Sequence, residues 1–161
     1  MALRKVVQRG DDILNKKSRK VENFDRRLSL LLDDMGETLR HHNGAGLAAP
    51  QVGILRRVIV IEPREGELLE FVNPEILEAD GEQTGAEGCL SVPGVWGVVT
   101  RPNRVKVRAQ DREGSFFEHE ETELGARALC HEIDHLDGHL FTEKVIEYID
   151  PDAEDDEEPE K

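Results

Sequence analysis

Residues 123–138, ELGARALCHEIDHLDG, constrain the fold more than any other stretch of the chain. Leu124, Ala128, Leu129 and Ile133 recur at helical spacing and Gly138 supplies a stop, so the spacing predicts a helix. On a helix, residues four apart lie one turn from each other on the same face. His131 and His135 can therefore present ring nitrogens to one metal ion. Glu132 lies about 100° further round, where it flanks a metal rather than binding it and can exchange protons with a water held there. The bland alternative is two histidines on an acidic helix with no metal. The position of the glutamate argues against it.

A catalytic centre of this kind takes three protein ligands and keeps one position open. The extended protease pattern would place a third histidine at residue 141, which is phenylalanine here. His139 is close, but it follows the helix-stopping Gly138. A glutamate ligand further on would need more helical scaffold than the remaining chain provides. Cys89, in AEGCLSVPG, is the better candidate, because a thiolate is a strong, soft ligand. Taken alone it would read as a small buried apolar residue. A hydrolase using Cys89, a small metalloprotease, and a closed structural site with a fourth protein ligand all remain open. In the last of these Glu132 would have no task.

The rest of the chain supplies a scaffold. Leu28, Leu31, Leu32, Met35 and Leu39 form one apolar stripe, with Asp25 as N-cap and Asn43-Gly44 as stop, so a second helix is expected there. RRVIVIE (56–62) and ELLEFVN (67–73), separated by PREG, carry a hairpin signature. RVKVRAQDREGSFFEHE repeats it, with the turn at Asp111–Gly114. Hairpins plus two substantial helices make an α+β domain.

The 161 residues suit one domain, expected over residues 1–149. The segment 150–161 carries eight acids and one lysine, half of the net charge of −14, and is expected to be a disordered acidic tail. So acidic a chain repels phosphate backbones, and no direct nucleic-acid binding is expected. There is no apolar run of membrane-spanning length and no secretory signal, so a cytoplasmic location is expected. Two cysteines, Cys89 and Cys130, are too few for a disulfide framework.

GAGLAAPQVG (44–53), EGCLS (87–91) and HEIDHLDG (131–138), in that order, resemble the three signature motifs of the peptide deformylase family. The resemblance runs over roughly residues 3–147. It implies antiparallel sheets around a central helix carrying the His-Glu-x-x-His motif. It also implies removal of the formyl group from the N-terminal formyl-methionine of newly synthesised polypeptides, releasing formate. By position, Cys89, His131 and His135 would be the metal ligands and Glu132 the general acid/base. Gln51 and the backbone N–H of Leu90 would stabilise the oxyanion, and Gly46 would offer backbone hydrogen bonds to the substrate. The metal would be Fe(II), with zinc, nickel or cobalt able to replace it, and a monomer is expected.

Leu124 and Ala128, before His131 on the helix, are candidates to line the methionine pocket; ordinary helix packing is the alternative for both. Cys130 stands where the family most often has glutamine, and its helical position reads as packing. Glu87 and Arg101 could bond each other or the substrate backbone.

Overall fold

The structure is a computed structural model that describes residues 2–150; beyond Asp150, the expected acidic tail lies outside the described residues. Helix α1 (Arg26–His41) starts where Asp25 accepts a hydrogen bond from the Leu28 N–H at 3.1 Å, which satisfies one of the unpaired donors of the first turn. Leu28, Leu31, Leu32, Met35 and Leu39 are all buried, as their spacing predicts. After α1, Asn43 adopts a left-handed conformation (φ 53°), which asparagine tolerates better than most residues.

The chain continues through β1 (Gly46–Ala48), a 3-10 turn at Ala49–Val52, β2 (Val58–Arg64) and β3 (Glu67–Asp80). Next come β4 (Gln83–Cys89), β5 (Val92–Arg101), β6 (Arg104–Gln110) and β7 (Phe116–Thr122). Helix α2 (Glu123–Leu136) follows without a loop, and β8 (Glu147–Ile149) closes the described chain. The strands form a five-stranded sheet ordered β1-β2-β3-β6-β7 and a three-stranded sheet ordered β4-β5-β8. All their pairings are antiparallel. Both hairpins occur where the sequence places them. The architecture is α+β.

The run VIVI in β2 has no polar alternation because both of its faces are covered. Val58 and Val60 pack with Leu32, Met35 and Leu39 of α1. Ile59 and Ile61 point the other way, into a core with Ala126, Leu129, Ile133 and Leu136 of α2. The larger sheet thus carries a helix on each side. A smaller cluster of Val92, Val99 and Phe141, with Cys89, Val95 and Val145 against it, underlies the three-stranded sheet. No helix among the described residues is long and apolar enough to cross a membrane.

Candidate metal centre

Helix α2 turns its apolar side into the main core and presents His131, Glu132 and His135, all buried, along its remaining face. Cys89 ends β4 at a register shift between Glu87 and Cys89. Its Sγ lies 3.3 Å from His135 Nε2. The ligand atoms of Cys89, His131 and His135 lie within 4.8 Å of one another. No fourth ligand-capable side chain joins this cluster among the described residues. One thiol and two imidazoles from two distant segments, with one face unfilled by protein, suit a catalytic cation rather than a closed structural site.

The surroundings fit the same ion. His131 Nδ1 lies 2.7 Å from Glu87 Oε1, which leaves Nε2 to bind a metal, the usual carboxylate–histidine arrangement. Glu87 is itself held by Arg101 (Nη2 to Oε1, 2.6 Å; Nε to Oε2, 3.1 Å) and by Arg127 (Nη1 to Oε2, 2.7 Å). Arg101 also donates to Asp134 Oδ2 at 2.7 Å. The Phe141 ring stacks on His131 with centroids 5.8 Å apart. The residue at the protease pattern's third-ligand position therefore serves here as packing against His131.

Glu132 has Oε2 4.0 Å from His131 Nε2, and its buried Oε1 has no hydrogen-bond partner. A buried polar atom without a partner is costly to maintain, and such atoms concentrate where chemistry is done. Burial raises the Glu132 carboxyl to about 7, against the opposing pull of His131. Burial works against charge on Glu87 too, but its bonds from His131 and Arg101 prevail and hold it well below the usual carboxylate range. Burial also opposes a proton on His131, yet the charge of Glu132 and the bonds to Cys89 and Glu87 raise it well above its ordinary value. Burial, then the neighbouring His131, lowers His135. A metal ion and a proton therefore compete for His131 Nε2. Burial pushes the Cys130 thiol up to about 11, and it sits in the core as packing.

The remaining expected residues fall around this cluster in different ways. A cavity of about 640 Å³ is lined by Gly46, Leu90, Leu124 and Ala128 together with His131 and Glu132. Gly46 needs its missing side chain: a Cβ there would lie 2.6 Å from Glu132 Oε2. Gln51 is buried behind the wall. Its Oε1 accepts from the Ala48 N–H at 2.9 Å, and its Nε2 donates to Ser91 Oγ at 3.1 Å and towards Cys89 Sγ at 3.5 Å. Glu87 and Arg101 bond each other. Sequence reasoning missed Arg127, one turn before His131 on the same helix face, and Ser91, inside the cysteine motif; helical spacing could have flagged the first.

Fold and site together define a small metal-dependent hydrolase with a Cys–His–His centre and an adjacent carboxylate. A family described as polypeptide deformylase matches residues 3–149. The peptide deformylase of Acetivibrio thermocellus is 59% identical over 152 residues, covering 94% of this chain and 89% of that protein. The crystal structure of peptide deformylase from Thermotoga maritima superposes with a TM-score of 0.86 at 38% identity, covering 89% of this chain and 97% of that one. A class I type b peptide deformylase from Acinetobacter baumannii, crystallised with Met-Ala-Ser bound, gives 0.84 at 38% identity, over 89% and 98% of the two chains. The chain belongs to the peptide deformylase family.

Proposed function

We propose that this centre hydrolyses the formyl amide of N-terminal formyl-methionine on newly made polypeptides, releasing formate and a free amine. The observation that carries the reading is the convergence of Cys89, His131 and His135 within 4.8 Å, beside a buried glutamate with an unpartnered oxygen. When bound, the cation supplies Lewis acidity to the formyl oxygen and makes water more acidic. Glu132 accepts the proton of the attacking water and returns it to the departing nitrogen; it stands beside His131, and its Oε1 has no other hydrogen-bond partner to hold it. Gln51 Nε2 and the Leu90 N–H donate to the carbonyl oxygen as it gains charge, a contribution worth about 3–4 kcal/mol per donor. For Gln51 this means trading one of its present bonds, to Ser91 or Cys89, for the substrate.

Gly46 lies in β1 and Cys89 in β4, each the edge strand of its sheet. An extended peptide between those edges finds backbone partners on both sides, with Gly46 one of them. Ala128 and Leu124 form the methionine pocket.

The reading extends to the metal and the setting. Fe(II) is the resident ion and zinc, nickel or cobalt can replace it; a thiolate with two imidazoles accepts any of them. Iron beside a thiolate oxidises in air, so the iron-loaded enzyme loses activity there while the nickel-loaded enzyme keeps it. The enzyme works as a cytoplasmic monomer on nascent chains without contacting nucleic acid directly, consistent with its net charge of −14. Residues 1–149 form the catalytic unit.

The deciding experiment measures formate from a formyl-Met peptide and metal content on the same sample. Glu132→Gln should keep its metal and lose about 10²–10⁴-fold in kcat. Cys89→Ser should lose metal on dialysis. An unchanged rate in the first variant, or full occupancy in the second, would remove those roles.

A further inference from the structure

A second cavity, of about 380 Å³, opens beside the first turns of α1 and the segments leading into α1 and β2. No residue lines both this cavity and the one at the metal centre. The metal centre is built on α2, which packs on one face of the larger sheet, whereas α1 packs on the other.

The floor of the second cavity is apolar. Leu28 and Leu31 are buried, Ile54 is half-buried, and Leu30 stands 39% exposed. Its rim is cationic. Arg27 and Arg56 are exposed, and neither side chain has an ion-pair or hydrogen-bond partner among the described residues. Arg4 is already held by Asp34 at 2.9 Å. Asp25, the one acid of the lining, is engaged in capping α1 through its bond from the Leu28 N–H.

Free guanidinium groups are out of keeping with the rest of the chain. From Arg57 to Arg127 every arginine faces a carboxylate or, at Arg108, the Phe116 ring. The cations left over concentrate in KKSRKVENFDRR (16–27), which holds six bases and two acids and runs into α1. Its Arg19 bridges to Arg56 through the backbone. In a protein of net charge −14, this corner is the complement of an anion.

The lining narrows the kind of anion. Guanidinium forks match carboxylates, and the leucine floor calls for an aliphatic side chain between them. A polynucleotide would leave that floor uncovered and finds no aromatic ring in the lining on which to stack a base. An acidic peptide supplies both kinds of group, a recognised use of arginine clusters. We propose that this cavity docks an acidic segment of another protein, with its carboxylates on Arg27 and Arg56 and an aliphatic side chain against Leu30 and Ile54. Docking there leaves the cavity at the metal centre open, so a partner holds the enzyme while it works. The proposal stands whether or not the metal centre is a deformylase.

The test measures fluorescence anisotropy of labelled probes with the metal-loaded full chain in about 0.1 M salt. The probes are the peptide Gly-Asp-Leu-Glu-Leu-Asp-Gly, its serine counterpart Gly-Asp-Ser-Glu-Ser-Asp-Gly, its uncharged counterpart Gly-Asn-Leu-Gln-Leu-Asn-Gly, and a short oligouridylate. The first should bind about tenfold or more tightly than each of the others. Arg27→Glu combined with Arg56→Glu should weaken it about tenfold, and Leu30→Ser should reduce it to the level of the serine peptide. Lys5→Glu combined with Arg9→Glu makes the same change in net charge outside both cavities and should leave binding within about twofold. All three proteins should keep the melting temperature and formate release of wild type, because the altered side chains are exposed and away from the metal centre. Equal binding of the serine peptide, tighter binding of oligouridylate, or full affinity in the Arg27/Arg56 double variant overturns the proposal. So does an equal loss in the Lys5/Arg9 variant, or no binding of the first peptide at about millimolar concentration.

Discussion

The carboxylate of Glu87 faces three basic side chains at once, and its loss would be felt first at His131. Glu87→Gln keeps the shape but removes the charge that fixes the ring and strengthens it as a ligand. Metal affinity should fall about 10- to 100-fold, read by competition with a chelator. Glu132 makes a second claim at this scale. Its proton stays on up to about pH 7 rather than the ordinary 4.5, because burial penalises the ion. A cation held by Cys89, His131 and His135 favours the ionised form, so loading metal should move the titration down. Carbon-13 spectra of labelled glutamate should show a group titrating near 7 in metal-free protein and lower with zinc bound; no movement would count against the arrangement. Gly46 supplies a third. Gly46→Ala pushes a methyl group into the Glu132 carboxylate, so formate release should collapse while the melting temperature changes little.

Among the elements, α1 and α2 were the most legible in the sequence, and for the same reason: both are long runs whose buried residues recur at helical spacing. The apolar set of α2 forms the core seen here, and the stop at Gly138 (φ 83°) falls where expected. Leu129 is fully buried in that core, so Leu129→Ala should cost about 2–5 kcal/mol in denaturant unfolding. Leu30, on the outer side of α1 and 39% exposed, should change stability by less than about 1 kcal/mol when cut to alanine. The three-stranded sheet was not legible. QTGAEGC is rich in small and polar residues, β8 has three residues, and the shift at Glu87/Cys89 breaks the period of two. The cluster of Cys89, His131 and His135 could be named from motif spacing and the family resemblance. The Glu87–Arg101–Arg127–Asp134 network could not, because its partners meet only once β4, β5 and α2 are assembled.

At the scale of the whole molecule, the family match ends at residue 149. A chain stopped after Asp150 should therefore melt within about 2 °C of the full chain and release formate at a similar rate. Cys89 closes a strand of the smaller sheet, whereas both histidines ride a helix seated on the larger one. An ion held by these three residues would thus also rivet two halves of the protein together. Stripping it should raise amide exchange in β4, β5 and β8 while the pairs within β2, β3 and β6 keep their protection. Loss of the ion should then open the smaller half to proteases ahead of the larger, a difference that limited proteolysis of metal-free and metal-loaded protein would read.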